Sequence, residues 1–280
     1  MNTPAALDVY CVIGHPIAHS RSPRIHARFA ELTGQRLRYE ALLAPLDGFA
    51  QTLAEFAAQG GRGCNVTVPF KLEAAQLADT RSERVRLAGA ANTLAIAADG
   101  SIHADNTDGL GLVADIERGA GLPLAGRDVL LAGAGGAAAG ALGPLIVAGA
   151  RHITIANRTP AKALALAASH APLATLHATE LAALAPQALE RDFDIVINAT
   201  ASSLAGAAAP VPARALRPGS LAYDMMYGPA AEGFLAWARA HGATPRDGLG
   251  MLVEQAAEAF YLWRGVRPPS AQVLAELRAG

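Results

Sequence analysis

Residues 129–150 read VLLAGAGGAAAGALGPLIVAGA, an uncharged run of aliphatic and small residues. It meets the usual length criterion of about 20 residues for crossing a bilayer. Its glycines argue otherwise. Gly133, Gly135 and Gly136 cluster behind a short aliphatic run, and the residues after them are small rather than lipid-facing. A strand, a tight turn and a helix read this way when joined. Gly133, Gly135 and Ala138 also spell G-x-G-x-x-A between that strand and that helix. Glycines there let backbone N–H groups approach a pyrophosphate, which also meets the positive end of the helix. A glycine turn that merely packs a helix on a sheet is the alternative, and the strand–helix setting favours the dinucleotide. Pro144 predicts a kink or an early break in the helix, since a mid-helix proline costs about 3 kcal/mol.

The next strand, HITIANR, decides which dinucleotide. An NAD site places Asp or Glu at its end to accept from the ribose 2′-hydroxyl. This chain has Asn157, Arg158 and Thr159 there. Arg158 suits a 2′-phosphate through two donors and a stacking plane, and Lys162 adds charge, so NADP is favoured over NAD. An ordinary solvated arginine is the plain alternative.

Working outward, strand-like and helical runs alternate along almost the whole chain, the signature of α/β units on mostly parallel sheets. Before residue 108, strands DVYCVIG, RYEALLA and GCNVTVP alternate with helices SPRIHARFAELTG and FAQTLAEFAAQGG. Pro23 and Gly34 bracket the first of these helices. KLEAAQLAD precedes ANTLAIAADGSIHADN, two alternating arms around Asp99-Gly100, a hairpin signal. Beyond it, TDGLGLVADIERG, PAKALALAASH, TELAALAP and AEGFLAWARAHG read as helices, and FDIVINAT and SLAYDMM as strands. ATPRDG reads as a polar link before the final helices.

Composition narrows the function. A chain of 280 residues suggests two medium domains. A formal net charge of −1 lacks the basic stripe that nucleic-acid binding needs. Cys11 and Cys64 read as buried free thiols, and the eight histidines show no ligand spacing for a metal. MNTPAALDVYCVIG has no basic n-region before an apolar stretch, so the cytoplasm is expected. The Asn-x-Thr triplets at Asn65, Asn157 and Asn198 are then not glycosylation sites.

Polar clusters punctuate the ends of the first strands: Ser20 and Ser22 in HSRSP, Asn65, Thr67 and Lys71 in NVTVPFK, Asn92 in GAANTL, Asn106 and Asp108 in ADNTDG. Ligands of open α/β sheets bind outside the carboxyl ends of strands, so these groups are expected to share a cleft. Hydroxyls and amides suit a small polyhydroxylated molecule. A carboxylate at Asp108 near Lys71 would hold the ammonium protonated, ready to give a proton to a carbonyl being reduced. Singly, turn and capping roles explain Asn92, Asn106, Asp108 and Ser22, but capping does not explain Lys71.

At these residues the chain resembles the shikimate dehydrogenase family. GHPIAHSRSPRIH, NVTVPFK, LAGAANTL, DNTDG, GAGGA, NRT, NAT, YDMMY and DGLGMLVEQA are similar to that family's motifs, in its order and over nearly the whole length. The resemblance implies a discontinuous α/β substrate domain at 1–107 and 248–280, because the final helix returns to it, and a Rossmann-type domain at 108–247. It implies reversible NADPH-dependent reduction of 3-dehydroshikimate to shikimate, in aromatic amino-acid biosynthesis, by a monomer or homodimer. Ser20 and Ser22 would hold the substrate carboxylate, with Tyr227 beside it. Asn65, Thr67, Asn92, Asp108 and Gln255 would bind hydroxyls. Lys71 would be the acid/base catalyst, oriented by Asp108. Gly133, Ala134, Gly135, Gly136, Ala137, Asn157, Arg158, Thr159, Lys162, Met225 and Gly248 would contact NADP.

Two departures stand out. His15 replaces the family's usual asparagine, and ASSLAG follows NAT where a serine-serine-glycine pattern is usual, which bears on the nicotinamide contacts. Two rival readings remain: a quinate/shikimate dehydrogenase using NAD, and a non-catalytic sensor of shikimate-like ligands. Arg158 argues against the NAD reading, and the presence of both Lys71 and Asp108 argues against the sensor.

Overall fold

A computed structural model describes residues 7–202 and 209–280, so the first six residues and much of the ASSLAG stretch lie outside the described residues. Its elements run β1 (Asp8–Gly14), α1 (Ser22–Thr33), β2 (Leu37–Leu43), α2 (Phe49–Ala58), β3 (Gly61–Val66), α3 (Lys71–Leu77), β4 (Thr80–Arg81), α4 (Glu83–Ala88), β5 (Thr93–Ile96) and β6 (Ile102–Asp105). Next come α5 (Asp108–Ala114), β7 (Asp128–Ala132), α6 (Gly136–Val147), β8 (His152–Ala156), α7 (Pro160–Leu176), β9 (Glu180–Leu184), β10 (Ile195–Asn198), β11 (Leu221–Asp224), α8 (Glu232–Ala240) and β12 (Thr244–Arg246). Then follow α9 (Leu249–Arg264) and α10 (Ser270–Ala279). Two compact units result: Met1–Thr107 with Val253–Gly280, and Asp108–Leu252, the division falling inside α9.

The first unit carries a six-stranded sheet in the order β2-β1-β3-β5-β6-β4. β2, β1 and β3 are parallel, β5 runs antiparallel to β3, and β6 pairs antiparallel with β5 through the Asp99-Gly100 turn. Alternation along β1 splits its side chains between two layers. Cys11 and Ile13 join Phe49, Leu53, Phe56, Val66 and Phe70, whereas Tyr10 and Val12 join Ile17, Tyr39 and Trp263. Cys11 and Cys64 are register partners on β1 and β3, both buried free thiols. Gly34 ends α1 at φ 66°, where its N–H can reach back to the last carbonyls.

The second unit is a parallel six-stranded sheet ordered β12-β11-β10-β7-β8-β9. In order of appearance this is the 3-2-1-4-5-6 doubly wound arrangement, whose strand order reverses between β7 and β10. The stretch 129–150 forms β7, the glycine turn and α6 at the centre of this unit, and no helix among the described residues is long and apolar enough to cross a membrane.

Four sequence expectations need correction. TELAALAP is no helix: residues 180–184 pair with β8 as the edge strand β9, so cross-strand bonding overrides the helix propensity of Leu and Ala. ATPRDG is not merely a link, because Thr244–Arg246 pair with β11, and Pro245 is tolerated since β12 lies at the sheet's edge. TDGLGLVADIERG starts as α5 but passes into a π-helical turn at Asp115–Gly119. Of the kink or early break expected at Pro144, the early break does not occur, since α6 runs on to Val147.

Candidate active site

In the first unit, strand order reverses around β1, so the segments after β1 and β3 flank a topological switch point. Ser20 is half-buried in the first segment and Ser22 is buried as the first residue of α1. Ser22 does not cap the helix: the N-cap is Arg21, and the Ser22 N–H instead donates to Ser20 Oγ at 3.3 Å. His15 Nδ1–H donates to Ala44 O at 2.8 Å, so this departure ties the segment to the end of β2 and leaves both serines in place.

After β3 the chain turns at Thr67–Phe70, with Phe70 N–H donating to Thr67 O at 3.0 Å and Phe70 stacking on Phe49 at 5.1 Å. Lys71 then opens α3. A helix's first turn favours anions, so helix stability does not account for a lysine there. Its carbonyl accepts from Ala91 N–H at 2.8 Å, which pins α3 to the segment that carries Asn92.

Asn92 is the hub of a buried amide–hydroxyl cluster. Its Oδ1 accepts from Thr107 N–H at 2.8 Å and Thr93 Oγ1 at 2.9 Å. Its Nδ2 donates to Thr107 Oγ1 at 3.0 Å and to Gln255 Oε1 at 3.2 Å. The Asn92 carbonyl accepts from Val66 N–H at 2.8 Å and from Asn65 Nδ2 at 3.2 Å. Asn65 on β3, Asn92 just before β5 and Gln255 on α9 are therefore one network, while Thr67 is half-buried beside it in sequence. Asn106 Nδ2 donates to Ala90 O at 2.9 Å, a structural bond behind the hub. Asp105 anchors this end of β6. Burial raises its carboxyl, but hydrogen bonds from Arg84 and Ser82 outweigh that and hold it below the ordinary carboxylate range.

In the second unit Asp108 is the buried first residue of α5. Gly133, at φ +115°, follows β7 and donates its N–H to Ala156 O at 2.8 Å. A Cβ there would stand 3.0 Å from Ala199 O, whereas at Gly135 and Gly136 it would meet nothing within 4 Å. The turn through Ala134 to Ala137 is thus open in front of a twelve-residue helix whose first N–H groups have no intrahelical acceptor, which fits a pyrophosphate. Beyond β8, Asn157 Nδ2 donates to Thr159 O at 2.9 Å, shaping the turn that leaves Arg158 and, on α7, Lys162 exposed. At the ends of β10 and β11, Met225 N–H donates to Asn198 O at 3.1 Å and Gly248 N–H to Met226 O at 2.9 Å. A Cβ on Gly248 would lie 2.3 Å from Met225 O, so only glycine fits against that carbonyl. Tyr227 is half-buried just after, at the N-cap of a short 3-10 turn.

Sequence reasoning missed three members of the first-unit cluster: Tyr39, Thr93 and Thr107. Thr93 and Thr107 sit inside quoted motifs, so their hydroxyls were visible signals. Tyr39 gave none, because an aromatic residue in a strand reads as core.

Comparison with known proteins follows the same division. Residues 12–94 match the model of the shikimate dehydrogenase substrate binding domain, 117–209 that of shikimate / quinate 5-dehydrogenase, and 248–278 that of the shikimate 5'-dehydrogenase C-terminal domain. The shikimate dehydrogenase (NADP(+)) of Acidovorax sp. strain JS42 is 75% identical over 98% of this chain and 97% of its own. Among solved structures, the Ael1 enzyme of Pseudomonas putida is 48% identical with a TM-score of 0.89, covering 96% of this chain and 98% of that one. The shikimate 5-dehydrogenase of Thermus thermophilus, solved with NADP(H) and shikimate, is 32% identical with a TM-score of 0.83, covering 98% and 99%. With a relative 75% identical along almost its full length, the chain belongs to the shikimate dehydrogenase (NADP(+)) family.

Proposed function

We propose that this protein catalyses the reversible, NADP-dependent reduction of 3-dehydroshikimate to shikimate. The observation that carries the reading is the Asn65–Asn92–Gln255 network at the strand ends of the first unit, with Lys71 pinned to it through Ala91. Amides and hydroxyls around one ammonium suit a polyhydroxylated acid bearing a carbonyl. NADPH supplies the hydride when bound. Ser20 and Ser22, with Tyr227, hold the carboxylate; Asn65, Thr67, Asn92 and Gln255 hold the hydroxyls. Lys71 gives its proton to the carbonyl oxygen, and Asp108 is assigned as the carboxylate that orients it. Gly133 to Ala137 cradle the pyrophosphate, Asn157, Arg158, Thr159 and Lys162 take the 2′-phosphate end, and Met225 and Gly248 take the nicotinamide end. The substrate domain comprises 1–107 and 248–280 and the dinucleotide domain 108–247, in a cytoplasmic monomer or homodimer.

The test is an assay of the purified protein with shikimate and NADP⁺, then quinate and NAD⁺, following reduced nicotinamide by absorbance. Turnover confined to the first pair is expected; preference for the second favours the quinate enzyme, and no turnover with either favours a sensor. Lys71→Ala is expected to lower kcat by about 10²- to 10⁴-fold, the usual contribution of general acid catalysis. A raised KM with kcat intact would leave Lys71 a binding group only.

A further inference from the structure

Tyr39 belongs to none of the motifs read above, yet its phenol reaches the middle of the amide cluster. It donates to Asn65 Oδ1 at 2.8 Å. The two N–H donors of the same amide go to Asn92 O at 3.2 Å and Thr93 Oγ1 at 3.1 Å. An asparagine amide has two donors and an oxygen with two lone pairs. The Asn65 amide therefore has no donor left for a ligand, and only Oδ1 can meet one. The orientation is forced, because turning the amide over would set Oδ1 against the Asn92 carbonyl, which can only accept.

The phenol is itself held. The His26 imidazole stacks on its ring at a centroid distance of 4.1 Å with 3° between planes, and Trp263 lies against it at 6.3 Å. Burial pushes the Tyr39 hydroxyl well above its ordinary pKa, so it remains a donor across the working pH range.

We infer that Tyr39 is a positioning residue of the substrate subsite: with Asn92 and Thr93 it fixes the Asn65 amide so that a ligand hydroxyl meeting Asn65 must donate to it. The inference rests on the proposal that Asn65 contacts the substrate. It makes the subsite selective for hydroxyl over ether or carbonyl at that position, because an acceptor-only group would face a buried acceptor.

The test compares Tyr39→Phe, His26→Phe and Asn65→Ala with the parent enzyme, using shikimate and its 4-deoxy and 5-deoxy analogues, with melting temperatures measured alongside. Tyr39→Phe, which loses one of three bonds holding the amide, is expected to raise the shikimate KM about three- to tenfold. Its kcat and its KM for NADP⁺ should stay within about twofold, since the hydrogen bond removed serves the substrate alone. The Tyr39→Phe effect should vanish for whichever deoxy analogue lacks the hydroxyl that Asn65 accepts. His26→Phe keeps both ring stack and phenol, and should leave the shikimate KM unchanged. An equal loss for shikimate and both analogues, or an equal loss in His26→Phe, would make the effect one of packing and overturn the inference. A raised KM in Asn65→Ala with none in Tyr39→Phe overturns the inference alone; no change in either overturns the subsite assignment with it.

Discussion

Arg158 stands exposed in the turn after β8, and among the described residues its guanidinium has no ion-pair partner. Arg158→Ala is expected to raise the KM for NADPH about tenfold, within the range for a lost hydrogen bond to a charged group, and to leave that for NADH nearly unmoved. Equal changes in both would remove the 2′-phosphate assignment. His26 is the opposite case: fully buried, with neither ring nitrogen hydrogen-bonded among the described residues. Burial lowers its pKa from 6.5 to about 3. Below pH 6.5 the unfolded chain takes up a proton that the folded chain refuses until about pH 3. Stability from this group is therefore complete above the unfolded value and falls with acidification, by up to about 1.4 kcal/mol per pH unit. Urea midpoints measured from pH 7 to pH 4 should fall less steeply in His26→Phe than in the parent; parallel slopes would contradict the assignment. Lys71 and Arg158 were legible because charged residues at strand ends need a reason. His26 and Tyr39 were not, because an aromatic side chain on an apolar face is ordinarily core.

At the scale of elements, α5 lies against α6 with almost no space at Gly109. A Cβ there would stand 2.3 Å from Gly140 O and 2.6 Å from Pro144 Cγ. Pro144 has no N–H to offer Gly140 O, the carbonyl one turn back, and its ring crowds that turn. Gly109→Ala gains about 1 kcal/mol of helix propensity, but overpacking against backbone costs about 1–3 kcal/mol. A net fall in melting temperature is expected; an unchanged or higher value would show that the helices can part. The persistence of α6 through Pro144 was not readable locally. Its buried face packs Ala138, Ala141, Leu142, Leu145 and Ile146 into the core of the unit, and burial outweighs one lost hydrogen bond. β9 and β12 were missed for a related reason: an edge strand with one neighbour is shaped by that neighbour more than by its own composition.

At the scale of the whole molecule, each unit is tied together by residues far apart in the chain. In the second unit the Arg246 guanidinium on β12 donates Nε–H to Asp115 Oδ2 at 2.8 Å and Nη2–H to Oδ1 at 2.5 Å. Tyr223 on β11 donates to the same carboxylate at 2.8 Å. Gly119 and Gly250 make room, since a Cβ on either would fall within 2.3 Å of Asp115 Oδ1. Removing one partner of a buried pair leaves a charge uncompensated, so Arg246→Met should cost about 3–5 kcal/mol in denaturant unfolding. Adding Asp115→Asn to Arg246→Met should recover part of that loss, and simple additivity of the two changes would deny the coupling. Such pairs cannot be read from a linear pattern: Asp115 looked like one more helix acid and Arg246 like part of a polar link. The sequence by itself determined the alternation of strands and helices, the glycine turn, the arginine after β8 and the polar groups at strand ends, because periodicity, turn chemistry and capping are local and leave local signatures. Tertiary structure alone decided which edge segments became strands, that α6 continues through a proline, and that Tyr39 governs the Asn65 amide. Those outcomes depend on what lies across space from a residue, and a chain records only what lies beside it.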